Sequence, residues 1–208
     1  MIPPTVNILV RVDGNEKRFN RLLKSIAVQS YAYIRVIMAY DLNKDISYIP
    51  EFIEVVHSGE NAWNSLKAQA TDGWFFFMDE EDYLLHRHVI ANTINDLFSP
   101  RLYICQTLDN NLRSQVKPSW IQPFHLRFQK TKIALPCVWA HYSHRDLVNF
   151  DTSEWEWICQ MKNLVGYKFL QQLNVCQGST VNIPVSQVDE YLFKDKFKFE
   201  TLKNKKRL

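Results

Sequence analysis

The stretch Trp74-Phe-Phe-Phe-Met-Asp-Glu-Glu-Asp82 decides how the chain is read. A wholly apolar run with no alternation suits a strand covered on both faces, as in a parallel sheet flanked by helices. Asp72-Gly73 before it is a turn pair, and four consecutive carboxylates follow it. In parallel α/β sheets ligands bind beyond the carboxyl ends of the strands, so these acids stand where a site would form. Like charges so close together need a cation or hydrogen-bond donors. Asp79, Glu81 and Asp82 suit a hard divalent ion with oxygen ligands, Mg2+ or Mn2+, which would also grip a diphosphate. The plainer reading is a solvated acidic cap before the next helix.

Upstream, the pattern repeats. Val6–Val12 is a short apolar run broken by Arg11, and Asp13 follows it. Phe19, Leu22, Leu23 and Ile26 recur at helical spacing, with Arg18, Arg21 and Lys24 on the other face. Tyr33–Tyr40 reads as a second strand ended by Asp41, and Phe52–Val56 as a shorter third. Ala62–Ala70 reads as a helix. Downstream, Val89–Leu97 is helical and Leu102–Thr107 strand-like. Strands alternating with helices at this spacing imply right-handed crossovers and a mainly parallel α/β sheet. Asp13, Asp41 and Asp79 then fall at one edge of it.

The second half is less regular. Residues 112–142 carry Pro118, Pro123 and Pro136 among aromatic and β-branched residues, which suits short antiparallel strands and loops. Ser153 with Glu156 three places on forms a capping box for a helix over Trp155, Ile158, Cys159 and Val165, and Gly166 stops it. Lys168–Cys176 reads as a last strand.

Composition narrows the class. The chain has 208 residues, 46% hydrophobic and 13% aromatic, enough for one sizeable core and too aromatic for a disordered chain. The net charge of +3 is misleading, because residues 194–208 hold seven basic and two acidic side chains. Residues 1–193 are slightly acidic, so no basic face for nucleic acid is expected. The tail reads as a solvated extension, with weak peripheral contact to anionic lipid as its second reading. No run reaches the ~18 apolar residues of a membrane helix. Cys105, Cys137, Cys159 and Cys176 are widely spaced with no Cys-x-x-Cys pattern, which points to free thiols and a cytoplasmic setting.

The order of segments resembles a family 2 glycosyltransferase with the GT-A fold. Ile8-Leu-Val-Arg-Val-Asp13 and Phe19-Asn-Arg-Leu-Leu-Lys-Ser-Ile-Ala-Val-Gln-Ser-Tyr31 are similar to that family's opening strand and helix. Ile34–Asp41 is similar to its second strand ending in an acid, and Asn61-Ala-Trp-Asn64 to its small-Arg-Asn segment. Phe76-Phe-Met-Asp-Glu-Glu-Asp-Tyr-Leu84 is similar to its hydrophobic-Asp-x-Asp-Asp signature. Asn149-Phe-Asp-Thr-Ser-Glu-Trp-Glu-Trp157 and Gly166-Tyr-Lys168 resemble its acceptor-side segment. The resemblance implies a near-minimal GT-A domain over 1–193, with a nucleotide-sugar half to about residue 100, an acceptor half over 101–193, and the basic tail 194–208 outside it.

It also implies roles. Arg11, Asp13, Asp41, Asn64, Lys67 and Asp79 would bind the nucleotide sugar, a UDP-sugar by this resemblance. Asp79 and Glu81 would hold Mn2+ or Mg2+. Glu154 would be the general base for an acceptor hydroxyl, giving inversion. The acceptor is a glycan, a lipid-linked molecule or a protein. The departures are Glu81 for the usual Asp, and Trp63 for a familiar Arg, with Lys67 one turn on as its substitute. The His that several metal-dependent relatives carry after the acceptor helix is missing, and His141 and His144, which precede it, read as structural or acceptor-side. Glu81 and Trp63 also motivate a second reading, a GT-A module that binds nucleotide or glycan without turnover. A two-metal nuclease or nucleotidyltransferase would fit an acidic tetrad, but no phosphate-cradling Gly-rich loop accompanies this one.

Overall fold

The computed structural model describes residues 3–40, 49–57, 61–109, 115–117 and 133–177. The first strand, β1 (Val6–Val12), leads through Gly14 at φ +95° into α1 (Glu16–Ala27), which Asn15 caps. β2 (Ile34–Tyr40), β3 (Ile53–His57), α2 (Ala62–Ala68) and β4 (Trp74–Asp79) follow. Next come β5 (Tyr83–Leu84), α3 (Val89–Ile94), β6 (Leu102–Asp109), β7 (Gln115–Lys117) and β8 (Val138–His141). The described chain closes with α4 (Glu154–Val165) and β9 (Tyr167–Gln177).

The strands form one sheet in the order β3-β2-β1-β4-β8-β6-β9-β5, with β7 beside β6. β3, β2, β1 and β4 are mutually parallel. β8 runs antiparallel between β4 and β6, whereas β9 returns parallel to β6. The mainly parallel sheet is thus observed, with a mixed portion built by the later strands. The boundaries of the early elements match the apolar runs; β8 occupies a place inside the stretch read only as short strands and loops.

β4 sits centrally between β1 and β8, and its residues alternate between two cores. Trp74, Phe76 and Met78 pack with Phe19, Leu22, Leu23 and Ile26 of α1. Phe75 and Phe77 pack on the other face with Trp63 and Leu66 of α2 and Trp157, Ile158 and Met161 of α4. Burying a phenylalanine contributes about 1.5–3 kcal/mol, so the apolar run is explained by helices on both sides. Gly73 opens the strand at φ +65°, where a Cβ would lie 2.0 Å from the Thr5 carbonyl oxygen. No other residue leaves room there for the Trp74 N–H to reach that oxygen at 2.9 Å.

Candidate active site

The pleat places the central pair. Arg11 and Asp79 are register partners on β1 and β4. They share parity with Leu9, Phe75 and Phe77, whose side chains pack toward α2 and α4. At the carboxyl edge of that face Arg11 Nε donates to Asp79 Oδ1 at 2.7 Å. The amino-terminal turns of α2 and α4 arrive at the same edge, bringing Trp63 and Glu154. Arg11 Nη1 lies 3.5 Å from Glu154 Oε1, and the Trp63 indole N–H donates to that oxygen at 2.9 Å. The Arg11 guanidinium rests over the Trp63 ring, 4.6 Å from its centroid.

The four carboxylates divide into two kinds. Glu80 is buried, and its Oε2 accepts the N–H groups of Asp13, Gly14 and Asn15 at 2.9, 3.0 and 3.0 Å. It fastens the loop between β1 and α1. Asp82 is 2% exposed and accepts the Asp79 N–H at 2.8 Å. This corrects the expectation that Asp82 joins Asp79 and Glu81 as an ion ligand, because its carboxylate turns inward to close the turn. Burial pushes that carboxyl well above the usual range, the Asp79 charge adds to this, and the Asp79 N–H opposes it. Asp79 and Glu81 remain partly accessible. Glu81 lies 3.6 Å from Arg18 Nη1, and its carbonyl accepts from Arg21 Nη2 at 2.7 Å.

Asp79 is pushed up to about 6, chiefly by desolvation; Arg11 opposes this, while Glu154 and Glu81 add to it. Arg11 is itself disfavoured by burial, but Asp79, then Glu154 and Asp13, outweigh that and raise its pKa. Asp79, Glu154 and Asp13 thus all bear on the one Arg11 guanidinium, while Glu81 faces Arg18. Asp79 and Glu81 offer an all-oxygen donor set, as a hard divalent ion prefers, with most coordination positions left to a ligand and water. Among the described residues no group of three or more His, Cys, Asp and Glu side chains is placed to hold an ion by itself.

The remaining expected residues are placed as follows. Asp13 is exposed beside Arg11 at the same edge. Asn64 Oδ1 accepts the Phe150 N–H at 2.8 Å, and Asn61, the cap of α2, donates to the Phe150 carbonyl at 2.7 Å. Lys67 is 3% exposed, and its ammonium donates to the Arg145 carbonyl and, at 3.1 Å, to Asn149 Oδ1. A phosphate contact was expected of Lys67; the structure instead has it clamp the loop that leads into α4. His144 is buried and packs near His141, away from the carboxylates' own hydrogen bonds. Asp41 and the tail 194–208 lie outside the described residues.

Sequence reasoning passed over Glu80 as an anchor and Trp63 as the partner of Glu154. Four adjacent acids carry no local signal of which one is the anchor, and the second contact joins residues 91 apart. Beside Glu154 opens a cavity of about 380 Å³, also lined by Ser153, Trp155, Ile133, Leu135 and Ile158. No helix of the described residues is long and apolar enough to cross a membrane.

No protein-family model matches the sequence, and no curated protein does. Solved structures do match. S. aureus TarS 1–349 in complex with UDP-GlcNAc aligns with a TM-score of 0.68 at 13% identity, over 93% of this chain and 62% of that one. The same protein in complex with UDP gives 0.64 at 13% identity, over 90% and 64%. The mannosyltransferase PcManGT from Pyrobaculum calidifontis, in complex with GDP-Man and Mn2+, gives 0.62 at 14% identity, over 86% and 58%. The chain spans less than two thirds of the length of these proteins. Its fold is GT-A-like, and the neighbours named above are complexes with UDP-GlcNAc, with UDP, and with GDP-Man and Mn2+.

Proposed function

We propose that the chain is an inverting glycosyltransferase of the family 2 type, transferring a sugar from a nucleotide sugar, a UDP-sugar first, to an acceptor hydroxyl. The convergence of Arg11, Asp79 and Glu154 at the carboxyl edge of β1 and β4 carries this reading. Residues 1–193 form its domain, with the donor half before about residue 100 and the acceptor half after it. Arg11, Asp13 and Asp79 line the donor side, with Asp41 and Asn64 as further donor-side residues. Asp79 and Glu81 would hold Mn2+ or Mg2+, whose charge would offset that of a nucleoside diphosphate leaving group. The partial accessibility of both carboxylates at one edge supports that assignment, as does the Mn2+ in the PcManGT complex.

Glu154 takes the acceptor proton. It lies beside Arg11 and is among the residues lining the 380 Å³ cavity, which this reading gives to the acceptor hydroxyl. Proton transfer to the carboxylate as the oxygen attacks the anomeric carbon from the face opposite the diphosphate gives inversion. Arg11 stays protonated through this exchange and keeps the two carboxylates apart from each other by sitting between them.

The test is release of UDP or GDP from UDP-GlcNAc and GDP-Man with Mn2+, with and without small glycosides as acceptors. Turnover is expected to fall roughly 10²–10⁴-fold in Glu154→Gln, with donor binding retained. Donor binding with no turnover in the wild type would favour the binding-module reading; no binding of either nucleotide sugar would sink both.

A further inference from the structure

Trp63 has no part in the reaction as written above, yet it makes the shortest contact to the carboxylate assigned as base. Its Nε1–H donates to Glu154 Oε1 at 2.9 Å, nearer than Arg11 Nη1 at 3.5 Å. Tryptophan is a donor only and brings no charge. It can therefore orient the carboxylate without replacing Arg11 as the cation shared with Asp79.

The ring is held on several sides. Its edge meets Phe77 at 5.2 Å between centroids and 81° between planes, Phe150 tilts beside it at 6.4 Å, and the Arg11 guanidinium covers one face. The helix that carries it is pinned by its cap Asn61 and by Asn64 to the Phe150 backbone, and by Lys67 to the Arg145 carbonyl. Phe150 in turn stacks on Trp157 of α4 at 4.7 Å and 12°. The donor is thus fixed in the same packed unit as the helix that bears its acceptor. Glu154 itself has little packing of its own, with a side chain 40% exposed. Left to its own torsions it would swing.

We infer that Trp63 is a positioning residue for Glu154: the indole N–H holds Oε1 in place and leaves Oε2 for the incoming hydroxyl. This rests on the reading of Glu154 as the base. Misplacing a catalytic group by an ångström can cost about a hundredfold in rate, which gives a fixed donor at this position a purpose that packing alone does not require.

Two measurements on the whole chain test it. The first needs no turnover. In protein labelled with 15N-tryptophan, the Trp63 indole resonance is identified by its absence from Trp63→Phe, and it is expected to move to higher field in Glu154→Gln as the charged acceptor is lost. The second uses UDP release from UDP-GlcNAc with Mn2+. Trp63→Phe is expected to lower kcat about 10- to 100-fold while leaving donor KM within about twofold. In the Glu154→Gln background the same change is expected to cost nothing further, because the residue it positions is gone. Should Trp63→Phe not fold, benzothienylalanine at position 63 keeps the bicycle and lacks the N–H. The proposal is overturned by an indole resonance that ignores Glu154→Gln. Equal losses from Trp63→Phe with and without Glu154, or wild-type kcat without the N–H while Glu154→Gln is inactive, overturn it too. Full activity of Glu154→Gln would instead remove the base assignment on which it stands.

Discussion

The loop 79–82 and the seam between α2 and residues 145–150 are both rich in polar side chains, and they use them in opposite ways. Along the seam every polar group discussed is engaged by backbone or by a neighbouring amide: Asn61 and Asn64 hold Phe150, and Lys67 holds Arg145 and Asn149. In the loop Glu80 and Asp82 are so engaged, while Asp79 and Glu81 pair with arginines at an accessible edge. A charge becomes available for chemistry when the fold has other groups to close its turns. The inward pair and the seam do the holding, and the outward pair is the one proposed above to meet a ligand.

The sharpest break of this comparison lies within the loop itself. Glu80→Ala strips three backbone N–H groups of their acceptor in a buried place, so a loss of about 3 kcal/mol in stability is expected from thermal or urea unfolding. Glu81→Ala removes a half-exposed ion pair to Arg18 and is expected to cost less than about 1 kcal/mol. The order reverses for Mn2+-dependent nucleotide-sugar binding by calorimetry, where Glu81→Ala is expected to lose tenfold or more and Glu80→Ala to lose less. Equal stability losses would erase the distinction between the two kinds of acid.

The seam supplies the next test. Lys67→Met keeps an aliphatic stem but leaves the Arg145 carbonyl and Asn149 without their donor, for an expected loss of about 2 kcal/mol. Donor affinity is expected to hold, since the ammonium serves the loop. A large loss of UDP-sugar binding with unchanged stability would return Lys67 to the phosphate role that its place in the sequence suggested.

The smallest effect is one of pH. A carboxyl at about 6 in the fold, against an ordinary 3.8, makes the folded state the better proton binder between those values. The stability associated with Asp79 is therefore present at low pH and lost as pH rises from about 4 to about 6. With the side chain 28% exposed, the swing is expected to be about 1–2 kcal/mol. Asp79→Asn carries no such titration, so its unfolding midpoint relative to wild type, measured without divalent ions, is expected to improve from pH 4 to pH 7. A constant difference across that range would mean that the Asp79 carboxyl titrates alike in the folded and unfolded chain.

The parallel half of the sheet was readable because strands buried on both faces must be apolar throughout. Val6–Val12, Ile34–Tyr40 and Trp74–Asp79 announce themselves, and Phe19, Leu22, Leu23 and Ile26 mark the helix that covers them. The start of α4 was readable from Ser153 and Glu156, whose bond at 3.2 Å caps it as expected. The insertion of β8 between β4 and β6 was not, because pairing Phe76 with Trp139 depends on residues far apart in the chain.

The same division holds at the candidate site. By itself the sequence determined which residue types reach the sheet edge, since an apolar strand must end where charge begins, and Asp79 to Asp82 begin it. Only the tertiary structure decided which of those acids are held by backbone amides and which meet arginines at the accessible edge. That choice turns on Asp82 folding back to the Asp79 N–H and on Glu80 finding three amides from the loop after β1. It also brought Trp63 to Glu154, a contact set by how two helices pack on one face of the sheet rather than by any local pattern.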